Sequence, residues 1–281
     1  MRIWLIILFC IGCAATPAAL ADDRSTPVAL PETPAAVQKA INARVGDGTL
    51  GEIERSTDGG ATVYDVGLVA KDGQDRDFTV AEDGTLMSTQ VTLVETPAAV
   101  QKSIQTLAKQ GQVDSIDKSL DGLNTTYDIG LTTKDGQEKG FTLDDGGMLL
   151  SLETSLAETP AAVQKTIQSE LADGKMERVD KMFGEDGITY DVAATAKNGR
   201  EKSFSVAEDG KLISRRVTLE ETPRAVRRTI KERIGDGTIL RIDRSFVEDK
   251  GVMPYEVQGR KDGKPFDFSV GPAGRFLGRD D

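Results

Sequence analysis

Histidine is absent from this chain, and its two cysteines, Cys10 and Cys13, and its lone tryptophan, Trp4, all lie within the first 13 of 281 residues. Beyond that point no disulfide can staple the fold, so packing has to hold it. A Ser-His-Asp triad, a Cys-His dyad and a zinc or copper site with His or Cys ligands are excluded there as well. Carboxylate pairs, Ser-Lys dyads and all-oxygen cation sites are the chemistry that remains. Aromatic residues make up 5% of the chain, too few for the stacking platforms that hold single-stranded nucleic acid. The net charge of −11 opposes nucleic-acid binding by the whole protein. Long apolar runs are missing too. The stretch from Ile3 to Ile11 falls short of the roughly 20 residues a membrane-spanning helix needs.

That short run has another reading. Arg2 precedes it, and Ala19-Leu20-Ala21 follows in the A-x-A pattern cut by a signal peptidase. Residues 1–21 are expected to be an export signal, with 22–31 a linker and the mature chain starting at Asp22. A lipoprotein anchored at Cys13 is the alternative. Either way the expected location is periplasmic or secreted, with no transmembrane span in the mature chain.

What the sequence has in abundance is itself. Glu32-Thr-Pro-Ala-Ala-Val-Gln-Lys39 recurs word for word at 95–102 and 158–165, and Glu221-Thr-Pro-Arg-Ala-Val-Arg-Arg228 is a diverged fourth copy. A constant interval of 63 residues marks tandem copies of one structural unit. The copies span 32–94, 95–157, 158–220 and 221–281.

Each copy reads first as a helix. Thr33, Thr96, Thr159 and Thr222 precede a proline, which suits an N-cap hydroxyl followed by proline at the first helical position. The glutamates before them, Glu32, Glu95, Glu158 and Glu221, would favour the positive end of the helix dipole. Val37, Ile41 and Val45 step by four along one apolar stripe, as do Val163, Ile167 and Leu171 and Val226, Ile230 and Ile234. Four strands follow. Tyr64, Val66 and Leu68 alternate with Asp65 and Gly67, as in a half-buried strand. Asp72-Gly73, Asp135-Gly136, Asn198-Gly199 and Asp262-Gly263 then read as hairpin turns. Phe78/Val80 and its counterparts form the next strand. A second turn sits at Asp83-Gly84. The expected fold class is α+β: four tandem units, each one helix packed on a four-stranded antiparallel sheet, set in two pairs or a continuous array.

The residues that carry this pattern in the first copy are Pro34-Ala-Ala-Val37, Tyr64-Asp65-Val66, Lys71-Asp-Gly73, Phe78-Thr-Val80 and Asp83-Gly84. In that order they resemble the PepSY-like domain family, a grouping that includes domains likened to the β-lactamase-inhibitor protein. The resemblance runs over all four copies. It implies exported helix-plus-four-strand domains that bind or inhibit peptidases or related enzymes, and it brings no catalytic residues.

Charge is distributed unevenly. The first copy has 5 cations against 11 carboxylates and the second 5 against 10, whereas the fourth has 13 against 11. In that last copy Arg224, Arg227, Arg228 and Lys231 fall at i, i+3, i+4 and i+7, one helical face opposite Val226, Ile230 and Ile234. These four are the candidate partner-binding residues, facing an acidic protein or an anionic membrane surface, with a solvated face as the plain alternative. Asp117, Ser119, Asp121, Gly122 and Asp128 imitate a calcium loop, but the same letters make a hairpin, and the third copy has Met182 and Gly184 at two of the positions. Asp72, Asp75, Asp77, Glu82 and Asp83 read as solvated turn residues. The sequence therefore points to an exported, non-enzymatic repeat protein without cofactor, metal or catalytic residues. Its expected partner is another exported or envelope protein, with a peptidase or other hydrolase as the leading class. A structural or calcium-modulated envelope spacer is the alternative.

Overall fold

The computed structural model describes residues 25–58, 61–121, 124–248, 251–261 and 264–278. The expected signal segment, Trp4, Cys10, Cys13 and the start at Asp22 lie outside them, as do Gly122 and the Asp262-Gly263 turn.

The described chain forms two compact bodies. The larger comprises Ser25–Ser56 and Val63–Arg215, and the smaller comprises Arg216–Asp281 together with Thr57–Thr62. The larger body opens with a two-residue strand, β1 (Thr26–Pro27), and a 3-10 turn at Leu30–Glu32. The first copy continues with α1 (Ala35–Val45), β2 (Thr49–Asp58), β3 (Ala61–Val69), β4 (Asp75–Ala81) and β5 (Leu86–Gln90). The second supplies α2 (Ala98–Leu107), β6 (Gly111–Asp121), β7 (Asn124–Thr133), β8 (Glu138–Asp144) and β9 (Leu149–Thr154). The third supplies α3 (Ala161–Leu171), β10 (Lys175–Gly184), β11 (Gly187–Thr195), β12 (Glu201–Ala207) and β13 (Leu212–Arg216). In the smaller body, α4 (Arg224–Ile234) is followed by β14 (Thr238–Ser245), β15 (Tyr255–Lys261), β16 (Lys264–Val270) and β17 (Phe276–Gly278).

The expected four-stranded sheets do not exist as separate objects. The strands are those of one seventeen-stranded antiparallel sheet, with four α-helices against it. The reason is visible within the larger body. Ser88↔Ser119 and Gln90↔Asp117 join β5 to β6, and Glu153↔Asp180 and Ser151↔Met182 join β9 to β10. A fourth strand left at an edge would expose a row of unpaired N–H and C=O groups. The first strand of the next copy satisfies them instead, so the ladder runs straight through the copy boundary. The α+β reading of four helix-on-sheet units is corrected accordingly.

The 63-residue period survives in the cores. Val37 and Ile41 meet Ile53, Tyr64, Val66, Phe78 and Val80; Val100 and Ile104 meet Ile116, Tyr127, Ile129, Phe141 and Leu143. Val163 and Ile167 meet Val179, Tyr190, Val192, Phe204 and Val206. In the smaller body Val226, Ile230 and Ile234 meet Ile242, Tyr255, Val257, Phe268 and Val270. Fully burying such a side chain contributes about 1.5–3 kcal/mol, so each cluster is a substantial anchor for its helix.

The Glu-Thr-Pro word folds differently from the expected cap. A residue before proline is driven to extended backbone, and Thr33 adopts φ −82°, ψ 157°. Its buried hydroxyl donates back to the Leu30 carbonyl (2.8 Å), while α1 starts at Ala35 with Pro34 as its cap residue. The glutamate serves the preceding turn, not the helix dipole. Its carboxylate accepts the N–H of Ala29, Thr92, Ser155 or Thr218, three residues back, at 2.7–2.9 Å. Hydrogen bonds from the Thr92 hydroxyl and N–H hold Glu95 down at about 2, and the Ser155 N–H and hydroxyl do the same for Glu158. Gln38, Gln101 and Gln164 then donate to the carbonyls of Thr33, Thr96 and Thr159. The recurring alanine is explained by the second turn. Gly84 has φ +83°, and a Cβ there would approach the Ala36 carbonyl oxygen to 2.7 Å; Gly147, Gly210 and Gly274 press on Ala99, Ala162 and Ala225 in the same way. Positive φ and close backbone approach both demand glycine there.

Candidate binding surfaces

Two surfaces remain once the building residues are set aside. The first is the outer side of α4. Arg224, Arg228 and Lys231 are exposed on it, and Arg228 approaches Glu232 at 3.9 Å, an exposed pairing worth little. Arg227 behaves otherwise. Its Nε donates to the Leu219 carbonyl (3.0 Å), and Nη2 reaches the carbonyls of Glu220 and Thr222. It has taken over the work that Gln38, Gln101 and Gln164 do in the other copies. Of the four expected contact residues, three face outward together and one is drawn into the turn before the helix. A fifth cation, Arg233, stacks on the Phe276 ring at 3.8 Å.

The second surface lies in the larger body, on the side of the sheet opposite α1, α2 and α3. Hydroxyls and carboxylates run across the strands there. Ser56 and Thr79 both donate to Asp65 (3.0 and 2.7 Å); Ser119 and Thr142 both donate to Asp128 (3.2 and 2.7 Å), and Ser151 donates on to Thr142. Burial pushes Asp128 above the usual carboxylate range, and the two hydroxyls and Arg178 only partly oppose it.

In the third copy this face contains a cation. Arg178 Nε donates to both oxygens of Asp180 (2.9 and 2.8 Å), and Nη1 lies 3.5 Å from Glu153 Oε2. Asp180 is 3% exposed, so this is a buried, charge-assisted contact of the stronger kind. A methyl group on Gly140 would come within 3.7 Å of Arg178 Nη2, which places the guanidinium directly over that glycine. In the smaller body Arg241 contacts Asp243 through the same two-residue spacing.

The second copy keeps the acid and loses the cation. Asp117 corresponds to Asp180, but Ser115 stands where Arg178 would be. Asp117 pairs in register with Gln90 on one side and Asp128 on the other. Burial raises it to about 6; a hydrogen bond from Ser115 opposes this, and the nearby Asp128 and Asp77 add to it. Asp77 is itself pushed up by burial and by Asp75 and Asp65.

The residues read as a calcium loop therefore lie on two paired strands, with Asp117 opposite Asp128, Ser119 opposite Thr126 and Asp121 opposite Asn124. Among the described residues no group of three or more carboxylates is placed to hold a metal ion. The acidic turn residues separate: Asp72 pairs with Arg76, Asp83 accepts the Thr85 N–H, and Asp77 belongs to the sheet face. Sequence reading missed the Arg178–Asp180 pair and its Ser115–Asp117 counterpart. Setting the copies side by side at 63-residue spacing would have found them, because the residue two places before the aspartate is Arg178 or Arg241 in the last two copies and Ser115 in the second.

No family model matches the chain, and neither does the sequence of any curated protein. Among solved structures it is similar to a BLIP-like protein from Bacteroides fragilis, with 20% identity over 42% of this chain and 83% of that one, at a TM-score of 0.31. It is similar to a DUF2874 family protein from Bacteroides ovatus, with 16% identity over 42% and 84% and a TM-score of 0.32. A third likeness is to a provisionally periplasmic DUF2874 family protein from Bacteroides vulgatus, with 17% identity over 46% and 95% and a TM-score of 0.29. The matches include the BLIP-like grouping of the expected resemblance, and no family model carries the PepSY label to this chain.

Proposed function

We propose that this protein is an exported, non-enzymatic module that binds another exported or envelope protein, with a peptidase or other hydrolase as the leading class of partner. The observation that carries the reading is the exposed cation set Arg224, Arg228 and Lys231 on α4. The first three copies have Ala35, Ala98 and Ala161 at the first of these positions and Asn42, Gln105 and Gln168 at the last. Arg224 and Lys231 are thus additions to the repeat that the fold does not require, and they join Arg228, whose place is held by Lys39, Lys102 and Lys165 in the other copies. They give the fourth copy a positive face in a chain of net charge −11, which suits an acidic partner surface and speeds encounter with it. The chemistry left without histidine or a cysteine beyond residue 13 supports a binding role over a catalytic one.

The test compares the full exported chain with a variant carrying Arg224→Gln, Arg228→Gln and Lys231→Gln. Saturable retention of one envelope protein by the parent, weakened at least tenfold in the variant, is the expected result. Equal retention by both removes α4 as the docking face. If the parent retains no specific protein, the binding reading fails.

A further inference from the structure

We infer that the second copy carries an open seat for a guanidinium group, lined by Asp117, Asp77, Asp65 and Gln90, and that an arginine side chain of a partner protein fills it. The occupied form of this seat is already in the molecule. In the third copy Arg178 contacts Asp180 and Glu153 over Gly140, with Asp128 near enough to act on its charge. Moving each position back by one 63-residue period turns Asp180 into Asp117, Glu153 into Gln90, Asp128 into Asp65 and Gly140 into Asp77. The acceptors thus remain, and Asp77 adds one. What changes is the donor, because Arg178 becomes Ser115.

Backbone register supports the equivalence. Glu153↔Asp180 joins β9 to β10, and Gln90↔Asp117 joins β5 to β6 at the same step of the ladder. Two small residues meet there. Ser115 lies opposite Gly130, where a Cβ would meet the Ser115 hydroxyl at 2.9 Å. Among the groups that set the charge state of Asp117, none is a cation. A planar guanidinium spreads its donors over several acceptors, as Arg178 does by sending its Nε–H to both Asp180 oxygens and turning Nη1 toward Glu153, which an ammonium cannot match in geometry. Gathering buried carboxylates without a counterion opposes folding, and an arriving guanidinium would relieve that while displacing little protein.

This inference deepens the protein-binding reading, yet its test needs no natural partner, so either can fail alone. The probe is the peptide acetyl-Gly-Arg-Gly-amide, titrated into the labelled full chain while the backbone amide signals are followed by NMR. Its citrulline counterpart, neutral and nearly isosteric, is the control. The expected result is saturable shifts confined to residues 115–119 and their neighbours in β5 and β7. They are lost with citrulline and weakened at least tenfold in Ser115→Arg, which supplies the missing guanidinium from within. Asp117→Asn, which keeps the shape and removes the charge, weakens binding to the same degree and guards against misfolding of the first variant. Shifts unchanged in both variants, shifts spread over all acidic turns, or no shifts at all would overturn the proposal.

Discussion

Asp117 and Asp180 occupy the same place in adjacent copies of one repeat, and they live in opposite electrostatic conditions. Asp180 is buried with a two-pronged contact to Arg178, whereas Asp117 is half-buried beside Asp128 and Asp77 with a serine hydroxyl as donor. The backbone is the same in both. The difference lies in the side chains around it, above all the one two residues upstream, which shows that a repeat can conserve its ladder while redistributing its charge.

The largest effect expected from disturbing this contrast comes from Arg178→Ala. Removing one partner of a buried pair costs roughly 3–5 kcal/mol, because Asp180 would be left charged and without its donor. A urea midpoint lowered at constant slope would show it; an unchanged midpoint would mean that the pair holds nothing. Asp117→Asn should act in the other direction. Its carboxyl titrates at about 6 in the fold against ~3.9 in an unfolded chain. The native state therefore binds the proton more tightly between those values, and stability falls as pH rises through that window. At neutral pH the asparagine variant should be about 3 kcal/mol more stable than the parent, from a shift near two units at 1.36 kcal/mol each. Near pH 4 the two should unfold together, and a pH-independent gap would refute the assignment.

Ser115→Arg should make the second copy behave like the third. A gain of about 1 kcal/mol at neutral pH, within the range for hydrogen bonds to charged groups, should appear together with a flatter pH profile. The smallest effect is expected at Glu158. Its folded value of about 2 lies below the unfolded ~4.3, so its contribution is complete above the unfolded value and is lost as pH falls toward 2. Glu158→Gln should cost a few tenths of a kcal/mol, since the site is largely exposed, and nothing at pH 2. A thermal midpoint equally displaced at both pH values would point to lost shape and not lost charge.

Much of this architecture is legible in the letters, for a definable reason. Val37 and Ile41, or Tyr64 and Val66, announce their faces because burial imposes a period on the chain. Gly84 announces its turn because a positive φ restricts the residue type. The continuity of the sheet is not written this way. Ser88 and Ser119 carry no mark that they will pair, since a strand edge is completed by whichever strand the topology brings. Thr33 misleads because Thr-Pro looks the same whether the hydroxyl caps a helix or closes the turn before it. The Asp117 seat is invisible within one copy, where it passes for another solvated acid. It emerges when the copies are superposed in sequence and Ser115 is seen in the place of an arginine.

The short strand β1 has a practical consequence. Val28 N–H donates to Ile53, just as Val91 donates to Ile116 and Val217 to Ile242. Residues 26–32 are thus the tail of a preceding repeat in miniature, not a tether. The genetic word begins at Glu32, but the mechanical period begins about six residues earlier. A chain trimmed at the word boundary loses the strand that shields β2, along with Pro27, whose missing N–H makes it a poor template for further strand addition. Such a chain should self-associate where one starting at Ser25 stays dispersed. Anyone cutting, grafting or multiplying this repeat should place the seams ahead of β1 and its equivalents, in phase with the hydrogen bonds and out of phase with the spelling.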